Sequence, residues 1–409
     1  MRVLLAMDSF KGSLSSAEAE AAVAEGLRRV FPSAGIVTVP ASDGGEGMTE
    51  AFIAATGGAV VSARVHDALM RPIEAEYGIV DDSSLLTGGR TAVIEVAAAA
   101  GLARLSLSER NPMLTTSFGV GEMIADALFR GCRRFVVGVG GSATNDAGLG
   151  MMEALGARFY ASDGSALSPC GGNLSQIARI DLSGLCPELP SASFVVACDV
   201  RNPFCGPDGA AHVFAPQKGA SAEQVEILEE GMNHIAGMMR TGSGIVRDGG
   251  GSMLDRGTVV DGVSACGSVD LSSLPGTGAA GGLAGAFYAF LGAQLRPGVE
   301  VFTEISGLEE KIASFNLVIT GEGKADSQTL MGKLPFGVLS LALRRHVPVV
   351  LVAGLVENHS ELLSAGFSAV LQAASSTQPL STSLLPSVAR RNLTEVILMN
   401  HKILRGIAN

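Results

Sequence analysis

Two rhythms of apolar positions alternate along this chain of 409 residues. Short runs of aliphatic and β-branched residues are typical of buried strands, and the stretches between them, in which apolar residues return every three or four positions, are typical of amphipathic helices. The alternation predicts an α/β protein with a mostly parallel sheet. The predicted strands are RVLLAM at 2–7, GIVTVP at 35–40, RTAVIEV at 90–96, RFVVGV at 134–139, SFVVACDV at 193–200, NLVITGE at 316–322 and PVVLVAG at 348–354.

The first predicted helix has well-marked ends. Ser15 stands where an N-cap is expected, Glu18 follows three positions later, and Pro32 comes just after the last apolar position. A serine and a glutamate at this spacing form the pattern of a capping box. Another helix is predicted from about 116 to 128, with Gly131 after its end.

Glycine-rich polar loops follow four of the predicted strands. They read DSFKG at 8–12, SDGGEG at 42–47, TGEGKAD at 320–326 and AGL at 353–355. In an open parallel sheet, the loops at the carboxyl ends of the strands lie on one edge, where ligands bind. Two of these strands are near the amino terminus and two are near the carboxyl terminus, so both chain ends are expected to build one sheet.

This arrangement predicts two domains. Residues 1–71 and 299–409 would form a Rossmann-like parallel-sheet domain, and residues 72–298 would form a second α/β domain inserted in the middle. Pro72 and the Pro297–Gly298 pair are the expected crossing points. The cleft between the domains is the expected active site.

The composition of the chain excludes some classes of binding partner. The formal net charge is −11, and no run of five like charges occurs, so nucleic acid and anionic membranes are poor candidates. Six cysteines are scattered without a C-x-x-C pair, which favours reduced thiols in the cytoplasm. The apolar stretch at 276–295 is long enough to cross a bilayer, but it is solitary and rich in glycine, so a buried helix is expected instead.

The stretch GVGGSATNDAG at 138–148 follows a predicted strand and has three interpretations. It matches G-x-G-x-x-A, with Asp163 twenty positions after Ala143, as in a dinucleotide fingerprint. It also fits an incidental glycine turn, or a loop whose backbone N–H groups bind phosphate. Asn145 and Asp146 stand where a dinucleotide fingerprint should already open its helix, which favours the phosphate loop.

Acidic residues in the glycine loops suggest how phosphates are bound without a Walker A motif, which the sequence lacks. Carboxylates are hard oxygen ligands that hold Mg²⁺ together with substrate phosphates. The candidates are Asp43, Glu46, Asp146, Glu322 and Asp326. For the aspartates, the competing interpretation is a cap on the following helix.

Two lysines, Lys11 and Lys324, lie within these loops, where a cation suits a phosphate or a carboxylate. A solvated surface lysine is the competing interpretation. In CDVRNPFCGPDGAAHVFAPQKGA at 198–220, Asp199 ends an apolar strand and could act as a general base, with Asn202 beside it to orient a reactant. An ordinary Asn-Pro turn is equally compatible with these residues.

Seven long motifs in order resemble the bacterial glycerate kinases of the type that yields 2-phosphoglycerate. The resemblance runs from position 1 to about position 354. The motifs are DSFKGSLSSAEA, SDGGEGM, RNPMLTTSFGVGEMI, GVGGSATNDAGLGMMEALGARF, CDVRNPFCGPDGAAHVFAPQKGA, LPGTGAAGGLAGAFYAFLGAQLRPGVE and LVITGEGKADSQTLMGKLPFGV. The resemblance implies ATP-dependent phosphorylation of D-glycerate, a divalent metal, a cytoplasmic location and a Rossmann-like lobe beside a cleft.

Residue roles follow as hypotheses from these motifs. Mg²⁺ is assigned to Asp43, Glu46 and Glu322. ATP is assigned to Gly140, Gly141, Ser142, Thr144, Asn145, Gly278, Gly281, Gly282 and Lys324. The substrate is assigned to Asp8, Ser9, Lys11, Arg71 and Asn202. The catalytic residues are expected among Asp199, Asp326 and Lys11, with one of the two aspartates as general base.

The sequence departs from the family pattern at a few positions. Met48 stands where threonine is usual, and Lys324 stands where a forked arginine often binds phosphate, so a bidentate contact is not expected there. Two other classes of protein stay open at this point: an NAD-linked hydroxy-acid dehydrogenase and a non-catalytic protein that binds a small anion. Association into a homo-oligomer is also left open.

Overall fold

A computed structural model of the chain describes residues 1–42, 44–45, 47–82, 89–246, 270–375 and 379–408. These residues form a mixed α/β protein, as predicted. They divide into two compact units, a first unit of Met1–Gly57 and Pro297–Asn409 and a second unit of Gly58–Arg296.

The strands and helices are numbered in chain order. The strands are β1 (Arg2–Met7), β2 (Gly35–Thr38), β3 (Ala59–His66), β4 (Pro72–Asp82), β5 (Gly89–Glu95), β6 (Cys132–Gly138), β7 (Arg158–Tyr160), β8 (Ala166–Leu167), β9 (Arg179–Asp181), β10 (Ser193–Ala197), β11 (Ile245–Val246), β12 (Gln294–Arg296), β13 (Leu317–Ala325), β14 (Val349–Val356) and β15 (Ala369–Gln372). The helices are α1 (Ser16–Val30), α2 (Met48–Thr56), α3 (Ala97–Ala100), α4 (Phe118–Phe129), α5 (Leu149–Ala154), α6 (Ala210–Phe214), α7 (Ala222–Thr241), α8 (Leu283–Leu291), α9 (Gly298–Ser306), α10 (Leu308–Ile312), α11 (Leu334–Arg344), α12 (His359–Ser364), α13 (Leu380–Ser383), α14 (Pro386–Met399) and α15 (His401–Ala408).

The first unit contains a five-stranded sheet in the order β15-β14-β13-β1-β2, and all its neighbouring strands are parallel. Strands from both chain ends therefore build one sheet, as predicted. Ser15 and Glu18 form the predicted capping box at the start of α1. Helix α1 packs closely on α14, since a Cβ atom on Gly26 would lie 2.8 Å from the carbonyl oxygen of Thr394.

The second unit contains a six-stranded sheet in the order β12-β10-β6-β5-β4-β3 and a smaller sheet in the order β11-β9-β7-β8. Strands β12, β10, β6 and β5 are parallel, whereas β4 and β3 are added antiparallel. Strand β3 pairs with β4 over its whole length, from Ala59 to His66. Residues 58–71 therefore lie in the second unit, although the crossing point had been expected at Pro72.

The apolar stretch at 276–295 forms turns followed by the buried helix α8. Among the residues that the structure describes, no helix is long and apolar enough to cross a membrane.

Candidate active site

Four neighbouring parallel strands of the second unit end in one row. Glu95 pairs with Gly138, Gly138 pairs with Ala197, and Ala197 pairs with Arg296. Adjacent strands lie about 4.8 Å apart. The glycine turn that follows Gly138 and the segment that carries Asp199 therefore leave the sheet side by side, at the edge where open α/β sheets bind ligands.

Only the tip of the glycine turn is exposed. Gly140 and Gly141 are exposed, and every residue from 142 to 152 is buried. Gly141 has φ of 69°, a conformation that favours glycine. Its carbonyl accepts a 2.8 Å hydrogen bond from Leu102 N–H, which fixes the turn against its neighbour. The peptide groups at 140–141 are thus held in place and open to an anion.

Asn145 follows this tip four residues after Gly141 and is 0% exposed. Neither its Oδ1 nor its Nδ2 has a hydrogen-bond partner in the described part of the chain, and the buried hydroxyl of Thr144 likewise has none. Buried polar groups are nearly always paired, and each unpaired one costs about 1–3 kcal/mol. The orphaned amide therefore fits a role in binding a polar ligand group.

The carboxylate of Asp146 is held by neighbouring residues of the fold. Its Oδ2 accepts hydrogen bonds from Ser117 N–H at 2.6 Å and Ser117 Oγ–H at 2.7 Å, and from Gly150 N–H at 3.2 Å. Burial raises the pKa of Asp146, whereas these hydrogen bonds lower it. The carboxyl group ties the start of α4 to the start of α5, which favours the capping interpretation over the metal one.

Lys218 is a buried cation that the sequence analysis missed. Its Nζ lies 3.0 Å from Ser142 Oγ and 2.7 Å from the carbonyl oxygen of Thr144. Burial lowers the pKa of Lys218 to about 7, while Asp146 raises it. A lysine two positions after the stretch AAHVFAP was the available signal, but its partners on a distant loop could not be predicted from the sequence.

Three glycines that were assigned to ATP binding are buried where neighbouring loops pack against each other. A Cβ atom on Gly278 would lie 2.1 Å from the carbonyl oxygen of Pro203, and one on Gly281 would lie 2.1 Å from that of Thr144. A Cβ atom on Gly282 would lie 2.7 Å from a methionine methyl group. These glycines are needed for close packing, and Gly281 and Gly282 pack against the glycine turn and the residue that follows it, at Thr144 and Ala147.

Asp199 and Asn202 follow β10 and differ in their surroundings. Asp199 is exposed. Asn202 Nδ2 donates a 2.8 Å hydrogen bond to the carbonyl oxygen of Asp208, so its side chain closes its own loop. The geometry supports the turn interpretation for Asn202 and leaves the carboxylate of Asp199 at the carboxyl edge of the sheet.

Arg71 is held by two carboxylates of the second unit. Its Nε lies 2.6 Å from Asp67 Oδ2, and its Nη1 lies 2.6 Å from Glu109 Oε1. Asp67 is buried and also accepts the N–H groups of Leu69 and Arg71. A substrate carboxylate would have to compete with both acidic side chains for this guanidinium.

The carboxyl end of β1 in the first unit opens into a cavity of about 340 Å³. Ser9 and Lys11 line it. Asp8 is buried, and its backbone N–H donates to the carbonyl oxygen of Gly321 on the next strand. Two predicted metal ligands, Asp43 and Glu46, lie outside the described residues.

Glu20 is a second buried ionisable side chain that the sequence analysis missed. It is 0% exposed, and its Oε1 accepts a hydrogen bond from Met7 N–H. Burial raises the pKa of Glu20 to about 9. Ser16, one turn earlier, donates a 2.6 Å hydrogen bond to the carbonyl oxygen of Met7. An acidic residue on the apolar stripe of α1, between Ala19 and Val23, was the available signal.

Acidic side chains at the end of β13 and just after it have partners nearby. Glu322 is buried, and its two carboxylate oxygens lie 2.6 Å from Thr329 Oγ1 and 3.1 Å from Lys333 Nζ. Burial raises the pKa of Glu322, and both partners lower it. Asp326 caps a short 3₁₀ helix by accepting Gln328 N–H at 2.9 Å. The sequence had predicted a metal or catalytic role for these two carboxylates.

Lys324, assigned to ATP, also has acidic partners. Its Nζ lies 3.0 Å from Glu357 and 3.4 Å from Asp326. Glu322 does not fit the role of a Mg²⁺ ligand, because a hydroxyl group and an ammonium group already occupy its two carboxylate oxygens. The described residues also contain no group of three or more His, Cys, Asp or Glu side chains that could hold a metal ion.

Comparison with known proteins gives one consistent family. The sequence model of the glycerate kinase family matches residues 3–404. The chain is 42% identical over 354 residues to the glycerate 2-kinase of Escherichia coli K12, covering 87% of this chain and 85% of that protein. It is 41% identical over 360 residues to the glycerate kinase of Bacillus subtilis 168, covering 88% and 86%.

The fold has a solved counterpart. A crystal structure described as a candidate glycerate kinase 2 from Salmonella typhimurium LT2 matches with a TM-score of 0.81 at 38% identity. The match covers 99% of this chain and 98% of the other.

Proposed function

Because the chain belongs to the glycerate kinase family, we propose that it transfers the γ-phosphoryl group of ATP to D-glycerate and releases 2-phosphoglycerate. The chain is a phosphotransferase with an alcohol group as acceptor, and kinases of this family use ATP. The choice of the 2-position is supported by the E. coli relative that is named a glycerate 2-kinase. Neither the relatives nor the described residues support the dehydrogenase considered from the sequence.

The proposed reaction is supported mainly by the pairing of two neighbouring strands, β6 and β10. Gly138 and Ala197 pair on neighbouring parallel strands, and each is followed two residues later by a group suited to phosphoryl transfer, Gly140 and Asp199. Phosphoryl transfer depends mostly on positioning and on compensation of charge. We assign the phosphate oxygens to the exposed peptide groups at 140–141 and to the orphaned amide of Asn145.

Asp199 is our proposed general base. Its carboxylate accepts the proton of the attacking glycerate hydroxyl as the new oxygen–phosphorus bond forms and the bond from the γ-phosphorus to ADP breaks. Asp326 is a weaker candidate, because its carboxylate caps a helix and lies 3.4 Å from Lys324.

Glycerate binding is assigned to the first unit. The cavity at the end of β1 suits a three-carbon acid, with the ammonium of Lys11 for the carboxylate and the hydroxyl of Ser9 for a substrate hydroxyl. Arg71 and Asn202 are less suitable, because two carboxylates hold the first and a loop carbonyl holds the second.

Mg²⁺ remains a proposal based on the chemistry of the sequence. The oxygen donors of Asp43 and Glu46 suit it, whereas the engaged carboxylate of Glu322 does not. When bound, Mg²⁺ supplies compensation of negative charge on the phosphate oxygens. The scattered cysteines support the cytoplasmic location expected from the sequence.

The test is the product formed from ATP and D-glycerate in the presence of Mg²⁺. Phosphorus and carbon NMR distinguish the 2-phosphate from the 3-phosphate ester, and we expect the 2-phosphate. Formation of 3-phosphoglycerate would overturn the position of transfer, and the absence of ADP release would overturn the kinase reaction. Formation of NADH from NAD⁺ and glycerate would instead favour a dehydrogenase.

A further inference from the structure

The buried ammonium group of Lys218 has no role in the reaction proposed above. The side chain is 2% exposed and lies in the short 3₁₀ helix Pro216–Lys218, after α6. Burying an ammonium group is costly unless hydrogen bonds compensate for the lost water. A methionine would fill similar space without that cost, so the contacts of the ammonium group need an explanation beyond packing.

Both contacts lie on the glycine turn. The ammonium donates to Ser142 Oγ at 3.0 Å and to the carbonyl oxygen of Thr144 at 2.7 Å. These residues directly follow the exposed tip at 140–141. Lys218 therefore bridges a side chain and a main-chain oxygen just behind the peptide groups that we assign to phosphate.

A buried carboxyl group holds the other end of the same turn. Asp146 binds Ser117 and the N–H groups of Gly148 and Gly150. Two buried ionisable side chains thus hold the segment 142–146: Lys218 at Ser142 and Thr144, and Asp146 at its last residue. Gly281 also packs closely against this segment, since a Cβ atom there would lie 2.1 Å from the carbonyl oxygen of Thr144.

We propose that Lys218 is a positioning residue for ATP: by holding Ser142 and Thr144, it sets the orientation of the exposed peptide groups at 140–141 without contacting the nucleotide. The inference rests on the proposed function, which assigns the phosphates to this turn. A small misplacement of such groups costs up to about a hundredfold in rate.

The first test is Lys218→Met. We expect the KM for ATP to rise and kcat to fall, each by about tenfold, with the KM for glycerate changed less than about twofold. Lys311→Met is the matched control, because Lys311 is also partly buried and donates to a backbone carbonyl, that of Ala55, at 3.2 Å in the first unit. Its kinetic constants should stay within about twofold of the parent's.

Ser142→Ala keeps the ammonium group and removes one of its two partners, so it tests the same clamp if Lys218→Met fails to fold. We expect a smaller rise in the KM for ATP, about threefold, and a double variant whose effect is clearly less than the sum of the two free energies. Additive effects would overturn the proposal, as would a folded Lys218→Met with the parent's kinetics or with a change confined to glycerate.

Hydrogen exchange of the amides at 138–148, without substrates, separates this inference from the proposed function. Faster exchange in Lys218→Met than in Lys311→Met supports the clamp whether or not the parent phosphorylates glycerate. Equal exchange in the two variants overturns the clamp. Absence of ADP release by the parent overturns only the assigned reaction and leaves the exchange result to decide the role of Lys218.

Discussion

Glu20 Oε1 accepts a 3.0 Å hydrogen bond from Met7 N–H, so a buried carboxyl group of α1 holds the last residue of β1. The next residue is Asp8, where the strand gives way to the loop that lines the cavity of the first unit. The buried carboxyl group of Glu20 thereby contributes to the geometry of a candidate substrate site.

The pKa of Glu20 predicts how stability depends on pH. Burial raises it from 4.5 to about 9, so between these values the unfolded chain has lost a proton that the folded protein keeps. The contribution to stability is therefore complete below about pH 4.5 and is lost as the pH rises to about 9. Glu20→Gln has no proton to lose, and its stability relative to the parent should increase between pH 5 and 8 by up to about 4 kcal/mol.

Urea unfolding of both proteins at the two pH values measures this difference. Glu25→Gln is the control, because Glu25 is exposed on the same helix. Its stability difference from the parent should be nearly independent of pH. Parallel pH profiles for Glu20→Gln and the parent would show that Glu20 titrates normally in the folded protein.

Asp199→Asn tests the proposed general base. We expect kcat to fall by about 10²–10⁴-fold with little change in either KM, because asparagine keeps the shape but cannot accept the proton. Steady-state kinetics and circular dichroism check the rate and the fold. Asp163→Asn, at an exposed turn between β7 and β8, should retain full activity. Near-normal turnover in a folded Asp199→Asn protein would exclude Asp199 as the base.

Alanine substitutions at two helical glycines should change the free energy of unfolding in opposite directions. A Cβ atom on Gly150 in α5 would lie 2.0 Å from Thr116 Oγ1 and 2.7 Å from Asp146 Oδ2, so Gly150→Ala should destabilise the protein by about 1–3 kcal/mol. A Cβ atom on Gly237 in α7 would meet nothing within 4 Å, so Gly237→Ala should stabilise it by about 0.5–1 kcal/mol. Urea unfolding measures both, and equal effects would contradict the described packing.

Lys11→Met tests the assignment of the substrate carboxylate. Loss of a charge-assisted contact costs about 1.5–3 kcal/mol, so the KM for glycerate should rise at least about tenfold while the KM for ATP stays unchanged. Lys402→Met, at an exposed position on α15, should leave both constants as they are. A rise in the KM for ATP alone would instead place Lys11 at the nucleotide.

The main sheet strands were predictable because their apolar runs are long and buried. All seven predicted strands are present, with ends that differ by a few residues. Strands β3 and β4 were not predicted, since one exposed face makes their sequences more polar, and their pairing shifts the division between the units to Gly57. The capping box at Ser15 was predicted because it depends on residues that are three positions apart.

The edge that carries the candidate site was also predictable, because parallel strands bring their carboxyl ends together. The partners within it were not. The contacts of Lys218 with Ser142 and of Asp146 with Ser117 join residues 76 and 29 positions apart, and only the fold brings them together. Glycines at 278 and 281 were assigned to phosphate because close packing and anion binding select the same residue type.

The sheet of the first unit also has a consequence for biosynthesis. Strand β1 pairs with β13 through Val3 and Leu317, so this one of its two neighbours emerges from the ribosome only after roughly 300 further residues. At about 5–20 residues per second, that interval is about 15–60 s. During this time Gly58–Arg296 is translated in full and can complete its own contacts, whereas β1 has only β2 beside it and still lacks its other neighbour, β13. The unit that begins translation first is therefore the last to be completed.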